Sequence, residues 1–125
     1  MMTAASIAIF GAAGCLARYW LSGAVNRLLG AGGFPYGTLA VNLVGAFFIG
    51  LIMELGLKST VISQDLKVAL TIGFMGGLTT FSTFSVETFV LLEKGHLLIA
   101  LANVLVSVVL CLFATWLGIL AVRVL

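Results

Sequence analysis

Charged side chains are scarce in this sequence, and their scarcity decides the solvent in which the chain folds. Only 8% of its 125 residues are charged, whereas 62% are hydrophobic and the mean hydropathy is +1.30. Soluble domains average about 25% charged and 45–50% apolar residues, so a soluble globular fold is excluded. The chain is predicted to be an integral membrane protein.

Cysteine, histidine and basic runs are also rare, and each absence removes a class of function. Cys15 and Cys111 lie within apolar stretches and His96 stands alone at a loop, so neither a metal cluster nor a disulfide framework is expected. Both cysteines are predicted to be buried small hydrophobic residues. The net charge of +2 includes no basic run, which excludes nucleic acid as a partner.

Long apolar stretches make up nearly the whole chain. A hydrocarbon core of about 30 Å requires around 20 mostly apolar residues per helix. Four stretches qualify, at about 4–26, 38–57, 67–92 and 97–122. They predict a single all-α, four-helix transmembrane domain over residues 1–125, with no room for an enzyme-sized pocket. The first stretch lacks a positive leader and contains Arg18, so it is expected to be retained rather than cleaved.

The few positive charges are almost evenly divided between the two sides of the membrane. Four helices put Lys58, Lys67 and Arg123 on one side and Arg27 and Lys94 on the other. This small bias leaves two interpretations open. The chain inserts one way, or it inserts both ways and forms an antiparallel homodimer, which supplies by assembly what other transporters encode as inverted repeats.

The third stretch contains the unusual run "GGLTTFSTFS" at 76–85. Gly73, Gly76 and Gly77 weaken a helix, and the hydroxyls of Thr79 and Thr80 compete for its backbone hydrogen bonds. These residues predict a third helix that is broken at mid-membrane. Such a break is tolerated only where the freed groups are buried in protein or line a polar cavity, and freed carbonyls are able to hold a cation.

Two phenylalanines follow the expected break. Phe81 and Phe84 are three residues apart and share a helix face, with Ser82 and Ser85 on the adjacent one. Because the edge of an aromatic ring is electropositive, two edge-on rings would suit a small anion. The alternative is ordinary core packing.

Polar residues in the other spans each leave alternatives open. Arg18 would bind backbone carbonyls, bind an anion or reach an interface, because a charge in hydrocarbon is costly. Asn42 offers both a donor and an acceptor, for a pore or for a bond between helices. Glu87 is either a proton carrier or a structural carboxylate.

The fourth stretch carries polar residues at every fourth position. This stripe comprises Asn103, Ser107, Cys111 and Thr115. Residues at that spacing share one helix face. The stripe is a hydrogen-bonding track for a permeating species or a helix-packing seam.

Glycines predict close helix contacts and one turn. Small residues let membrane helices approach, and they recur in the first two stretches at Gly11, Gly14, Gly37, Gly45 and Gly50. The run "GAGGFPYG" at 30–37 contains the only proline and predicts a turn before the second helix.

Three motifs together resemble one family, the small dual-topology fluoride channels called Fluc or CrcB. They are "GAAGCLARY" at 11–19, "GTLAVNLVGAFFIG" at 37–50 and "GFMGGLTTFSTFSVE" at 73–87. The resemblance covers the whole chain. It implies a multi-pass protein of the bacterial inner membrane, an inverted homodimer, and passive fluoride conduction through two pores built from both subunits.

The resemblance also implies roles for individual positions. The pore residues of the family match Phe81, Phe84 and Asn42, and its polar track matches Ser82, Thr83 and Ser107. The backbone-carbonyl ligands of a structural sodium ion at the dimer centre match Gly76 and Thr79. The arginine of the first helix matches Arg18, and the acid after the motif matches Glu87. Cys111 departs from the family, in which a hydroxyl residue is frequent at this position. A thiol donates only weakly.

The implied physiology follows from weak-acid chemistry. Hydrofluoric acid enters as a neutral molecule and dissociates in the cytoplasm, and an inside-negative potential drives the anion out at about 2.3 kcal/mol per charge per 100 mV.

A competing class is the small dual-topology multidrug exporter, which needs an acid in its first helix, where this chain has Arg18. A non-transporting assembly subunit would leave the broken helix without a purpose.

Overall fold

The apolar stretches form four long helical segments joined by short connections. The computed structural model describes residues 2–125, apart from the side chains at positions 2 and 31. The elements are α1 (Met2–Leu29), α2 (Tyr36–Lys58), α3 (Gln64–Val68), a π-helical stretch (Ala69–Met75), α4 (Gly76–Leu78), α5 (Phe81–Glu93) and α6 (Leu97–Arg123). All four segments, with α3 to α5 forming the third, are long and apolar enough to cross a membrane. The predicted spans are confirmed to within a few residues.

The connection between α1 and α2 is the predicted glycine-rich turn. Gly30–Gly32 forms one turn of 3₁₀ helix, and Gly33 has φ 77°, a left-handed conformation that side chains rarely tolerate. Pro35 then precedes the first residue of α2. Asn26 of α1 accepts a hydrogen bond of 2.9 Å from the Gly37 N–H through its Oδ1. This bond satisfies one of the free N–H groups at the start of α2.

The third segment is interrupted at two threonines rather than at its glycines. Gly76 and Gly77 remain helical, whereas Thr79 (φ −87°, ψ 157°) and Thr80 (φ −152°, ψ 115°) are extended. The interruption therefore falls at the two predicted threonines, and the three predicted glycines are not part of it. The helix ends because the backbone of Thr80 is bound by another helix.

The glycines of the third segment are used for contact with α1. A Cβ at Gly77 would lie 2.5 Å from the carbonyl oxygen of Gly11, and one at Gly73 would lie 3.3 Å from the Gly11 nitrogen. A Cβ at Gly14 would collide with the carbonyl oxygen of Phe74. Backbone therefore packs directly against backbone, which confirms the predicted role of Gly11 and Gly14 and explains why these residues are small.

Helices α2 and α6 meet in the same way. A Cβ at Gly50 would collide with the carbonyl oxygen of Thr115, and one at Gly118 would collide with that of Phe47. The contact predicted for Gly50 is confirmed. Gly118 was not predicted, because nothing in the sequence of α6 distinguishes this glycine from a neutral spacer.

The buried apolar core of the single chain is small. It is centred on Val41, Ile52, Met75 and Leu78, where α2 packs against the third segment. Large apolar side chains on every long helix are exposed, among them Trp20, Phe48, Phe81 and Trp116. A large lateral surface is thus available for lipid or for another protein chain.

The contact at Gly118 gives a stability prediction. Gly118→Ala should lower the free energy of unfolding by about 1–3 kcal/mol, the usual cost of overpacking, because the new methyl group meets backbone atoms that have no rotamer to change. Thermal unfolding in detergent, followed by circular dichroism, measures the loss. Gly32→Ala is the matched control, since a Cβ there meets nothing within 4 Å; equal midpoints for the two variants would contradict the tight contact.

Candidate functional site

The break in the third segment is held by the side chain of Asn42. Its Oδ1 accepts a hydrogen bond of 2.8 Å from the Thr80 N–H, and its Nδ2 donates one of 3.2 Å to the Thr80 carbonyl. A peptide N–H only donates, so the orientation of this amide is determined. The second N–H of the Asn42 amide takes no part in this pairing with Thr80 and is available as a donor. Asn42 therefore makes the bond between helices that the sequence left as one of two alternatives.

Arg18 binds the same break from α1. Its Nη1 donates a hydrogen bond of 3.3 Å to the carbonyl oxygen of Thr79. Of the three alternatives for Arg18, the structure shows the backbone carbonyl. The Nη2 atom lies 3.9 Å from the sulfur of Cys15, whose thiol is free and exposed. The predicted burial of Cys15 is wrong for the single chain, because its side chain faces an open groove beside Arg18.

A cavity of about 390 Å³ opens beside the break and brings together six of the predicted site residues. They are Asn42, Gly76, Thr79, Phe81, Phe84 and Ser107. The two phenyl rings lie with their centroids 5.4 Å apart and their planes at 39°. Phe81 is 79% exposed, so it does not fill a core within this chain.

The polar stripe of α6 divides into two parts. Ser107, Cys111 and Thr115 line the cavity, whereas Asn103 is only 2% exposed and bonds to α5. The Nδ2 of Asn103 donates to Thr88 Oγ1 at 2.9 Å, and its Oδ1 accepts from Ser107 Oγ at 3.3 Å. The packing seam is therefore observed at Asn103, whereas the track for a permeating species stays a prediction for the three residues that line the cavity.

This hydrogen-bonded chain has a defined direction. Thr88 Oγ1 donates its only proton to the Phe84 carbonyl at 2.7 Å, so it accepts from Asn103. The Oδ1 of Asn103 then faces Ser107 and accepts the serine proton. Turning the Ser107 hydroxyl toward the cavity would cost one long hydrogen bond.

Ser82 and Thr83 are not in this cavity. They line a separate groove of about 380 Å³ that also contains Arg18, Thr38 and Thr80. Thr80 Oγ1 accepts from the Thr83 N–H at 3.2 Å and so caps the first turn of α5. It also donates to Thr83 Oγ1 at 3.0 Å. Within one chain, the predicted polar residues therefore occupy two different faces.

Glu87 lies apart from both grooves described so far. Its Oε1 accepts a hydrogen bond of 2.8 Å from Thr38 Oγ1, and its Oε2 is a buried atom without a partner among the described residues. It lines a third cavity of about 400 Å³ together with Asn26 and Lys94. The bond to Thr38 shows that Glu87 is hydrogen-bonded to another helix, and both of its alternatives stay predictions.

Two polar partners were missed from the sequence. Thr38 lies in the motif at 37–50 without a predicted role, and Thr88 lies just beyond the motif at 73–87. The available signal was position, because Thr88 is four residues after Phe84 and one after Glu87, and Thr38 is four residues before Asn42 on the same helix face.

These features define a class: a small polytopic membrane protein whose polar side chains meet at a helix break and line open lateral cavities. The chain belongs to the CrcB family. The family model described as "CrcB-like protein, Camphor Resistance (CrcB)" matches residues 5–119. The predicted family resemblance is thereby confirmed.

Relatives named "Fluoride-specific ion channel FluC" match nearly the full length. Those of Geotalea daltonii and Trichlorobacter lovleyi are 65% and 63% identical over 123 residues, and the one of Geobacter sulfurreducens is 61% identical, with 98% of both chains covered in each case. This membership decides between the two transporter classes that the sequence left open, in favour of the channel family rather than the small multidrug exporters.

Proposed function

We propose that this chain is the subunit of a fluoride-selective passive channel that exports cytoplasmic fluoride. Sequence identity of 61–65% to relatives named as fluoride-specific ion channels supports it. The observation that carries the proposal is the cavity in which the Phe81 and Phe84 rings face the same space as Asn42 and Ser107.

The chemistry of that cavity suits a small anion. Its lining residues include no Asp or Glu among the part of the chain that the structure describes. The leftover N–H of Asn42 and the rotatable hydroxyl proton of Ser107 are donors, and the ring edges are electropositive. Neutral donors bind an anion without the deep trap that a lysine or arginine would create, and so they permit its release to the next position.

Export requires no coupled energy source in this proposal. Fluoride that is trapped in the cytoplasm after entry as the neutral acid carries one negative charge. A membrane potential of about 100 mV, negative inside, favours its exit by about 2.3 kcal/mol. A pore with neutral donors is therefore sufficient in the bacterial inner membrane.

The functional unit in this proposal is an antiparallel homodimer with two pores built from both chains. Three observations support a partner: the exposure of Phe81, the exposure of Gly76, and the division of the candidate polar residues between two faces. In the proposed dimer, Ser82 and Thr83 of one chain complete a pore with the phenylalanine cavity of the other. The near balance of positive charges between the two sides supports insertion in both orientations.

The break also fits a structural sodium ion at the centre of the dimer. The extended conformation of Thr79 and Thr80 ends α-helical bonding, so carbonyl groups after Met75 lose their regular partners. Gly76 and Thr79 would supply backbone carbonyl oxygens, and two copies would give four neutral ligands for a hard monovalent cation. The bound ion would supply positive charge at the interface, while Arg18 orients the Thr79 carbonyl that it already contacts.

Efflux from liposomes tests the proposed function. Purified protein in potassium-loaded vesicles should release fluoride on addition of a potassium ionophore, and should release chloride far more slowly, because the relatives that it resembles are named as fluoride-specific channels. Ion-selective electrodes measure both anions in matched vesicles. Equal release of fluoride and chloride, or no release of either by a folded protein, would contradict the proposal.

A further inference from the structure

The peptide group of Thr80 is bound on both sides by one side chain. Asn42 accepts from its N–H at 2.8 Å and donates to its carbonyl at 3.2 Å. Thr80 is only 7% exposed, and a buried peptide group requires partners for both of its polar atoms. The Asn42 side chain thus supplies both hydrogen bonds that the backbone of Thr80 would otherwise need from another stretch of main chain.

This arrangement changes the hydrogen bonding of the residues before Thr80. In an α-helix the N–H of residue i bonds to the carbonyl of residue i−4, so the Thr80 N–H would bond to Gly76. The preceding bond of the series is intact, since the Thr79 N–H donates to the Met75 carbonyl at 3.0 Å. The series therefore stops at the bond that Asn42 replaces, and the Gly76 carbonyl loses its helical donor.

We infer that Asn42 is a positioning residue for the central cation site, because its side chain withdraws the Thr80 N–H from the Gly76 carbonyl and leaves that carbonyl free to bind sodium. The inference rests on the sodium site of the proposed function. It gives Asn42 a task in addition to lining the anion cavity. The exposure of Gly76 on the single chain agrees with a carbonyl that is open to a partner subunit.

Other residues at the break do not perform this task. Thr79 Oγ1 bonds back to the Met75 carbonyl at 2.8 Å, and Thr80 Oγ1 caps α5. Both hydroxyls serve neighbouring helices, and neither competes for the Thr80 N–H. Only Asn42 binds that N–H among the described residues, so its removal should permit the helix to continue by one bond onto Gly76.

The test is a sodium titration of the thermal midpoint of the purified dimer. A ligand that binds only the folded state raises stability with its concentration, so the wild-type midpoint should rise with sodium and fall on exchange into N-methylglucamine. Asn42→Leu, which has the same branched side-chain skeleton but no polar atoms, should shift the half-maximal sodium concentration upward by at least tenfold.

Two further variants separate positioning from anion binding. Ser107→Ala lines the same cavity but does not touch Thr80, so it should lower fluoride efflux and keep the wild-type sodium response. Asn42→Asp keeps an oxygen that accepts the Thr80 N–H, so it should retain a sodium response even though a carboxyl group at this position hinders fluoride. If Asn42→Leu does not purify as a dimer, Asn42→Ala takes its place, because it also lacks an acceptor for the Thr80 N–H and should show the same upward shift.

The outcomes distinguish this inference from the proposal on which it rests. A wild-type midpoint that ignores sodium overturns the cation site and the inference together. A wild type that responds, with Asn42→Leu responding at the same sodium concentration, overturns only the positioning role. Loss of the sodium response in Asn42→Asp, which keeps an oxygen that accepts the Thr80 N–H, would also overturn the positioning role.

Discussion

Replacement of Phe81 or Phe84 by leucine should reduce fluoride efflux by tenfold or more while the protein still purifies as one species. Leucine retains most of the bulk, and apolar swaps of this kind usually cost less than about 1.5 kcal/mol of stability. The change removes the electropositive ring edge. A tenfold fall in efflux corresponds to about 1.4 kcal/mol added to the barrier for passage.

The matched control is Phe89→Leu. Phe89 lies on the same helix and is 60% exposed, but it does not line the cavity that contains the other two rings. Efflux measured with a fluoride electrode should be unchanged in this variant. Wild-type rates of fluoride efflux in both Phe81→Leu and Phe84→Leu would show that the two rings only fill space between helices and that the conduction route lies elsewhere.

Variants that fix the insertion orientation should be inactive alone and active in combination. Arg27→Gln with Lys94→Gln leaves all of the loop charges considered above on the side of the two termini, and should force one orientation. The opposite set, Lys58→Gln and Lys67→Gln with His96→Lys, favours the other. An antiparallel dimer requires both orientations, so fluoride resistance of cells should be lost with either set and restored when both are expressed together.

Accessibility of a C-terminal tag in intact cells is the control for this experiment. The wild type should show the tag on both sides of the membrane, and each charge variant should show it on one side. If every wild-type C-terminus reports the same side, or if one charge variant conducts fluoride by itself, the antiparallel arrangement is wrong.

The helical spans were predictable because their cause is local. Apolar composition over about 20 residues is sufficient to identify a membrane helix, and the turn at 30–37 follows from glycine and proline chemistry. The location of the break was not predictable in this way. It depends on Asn42, which is 38 residues away along the chain from Thr80, and no local propensity reports such a contact.

Part of the candidate site could also be predicted, and the spacing of its residues explains which part. Phe81 and Phe84 are three apart and share one cavity, as expected for one helix face. Ser82 and Thr83 lie between them in sequence and therefore project to another face, into the groove with Arg18. The sequence motif names all four residues together, although the helix separates them.

The hydrogen-bonded chain from Ser107 to the Phe84 carbonyl has a consequence for how α5 is oriented. Apolar contacts do little to select one rotation of a membrane helix, because lipid tails offer an equivalent environment. The bond between Thr88 and Asn103, by contrast, is satisfied at only one rotation about the helix axis. The direction in which the Phe84 ring enters the cavity is therefore determined by the rotation of α5 about its axis. That rotation is fixed by the bond between Asn103 of α6 and Thr88, one helical turn after Phe84.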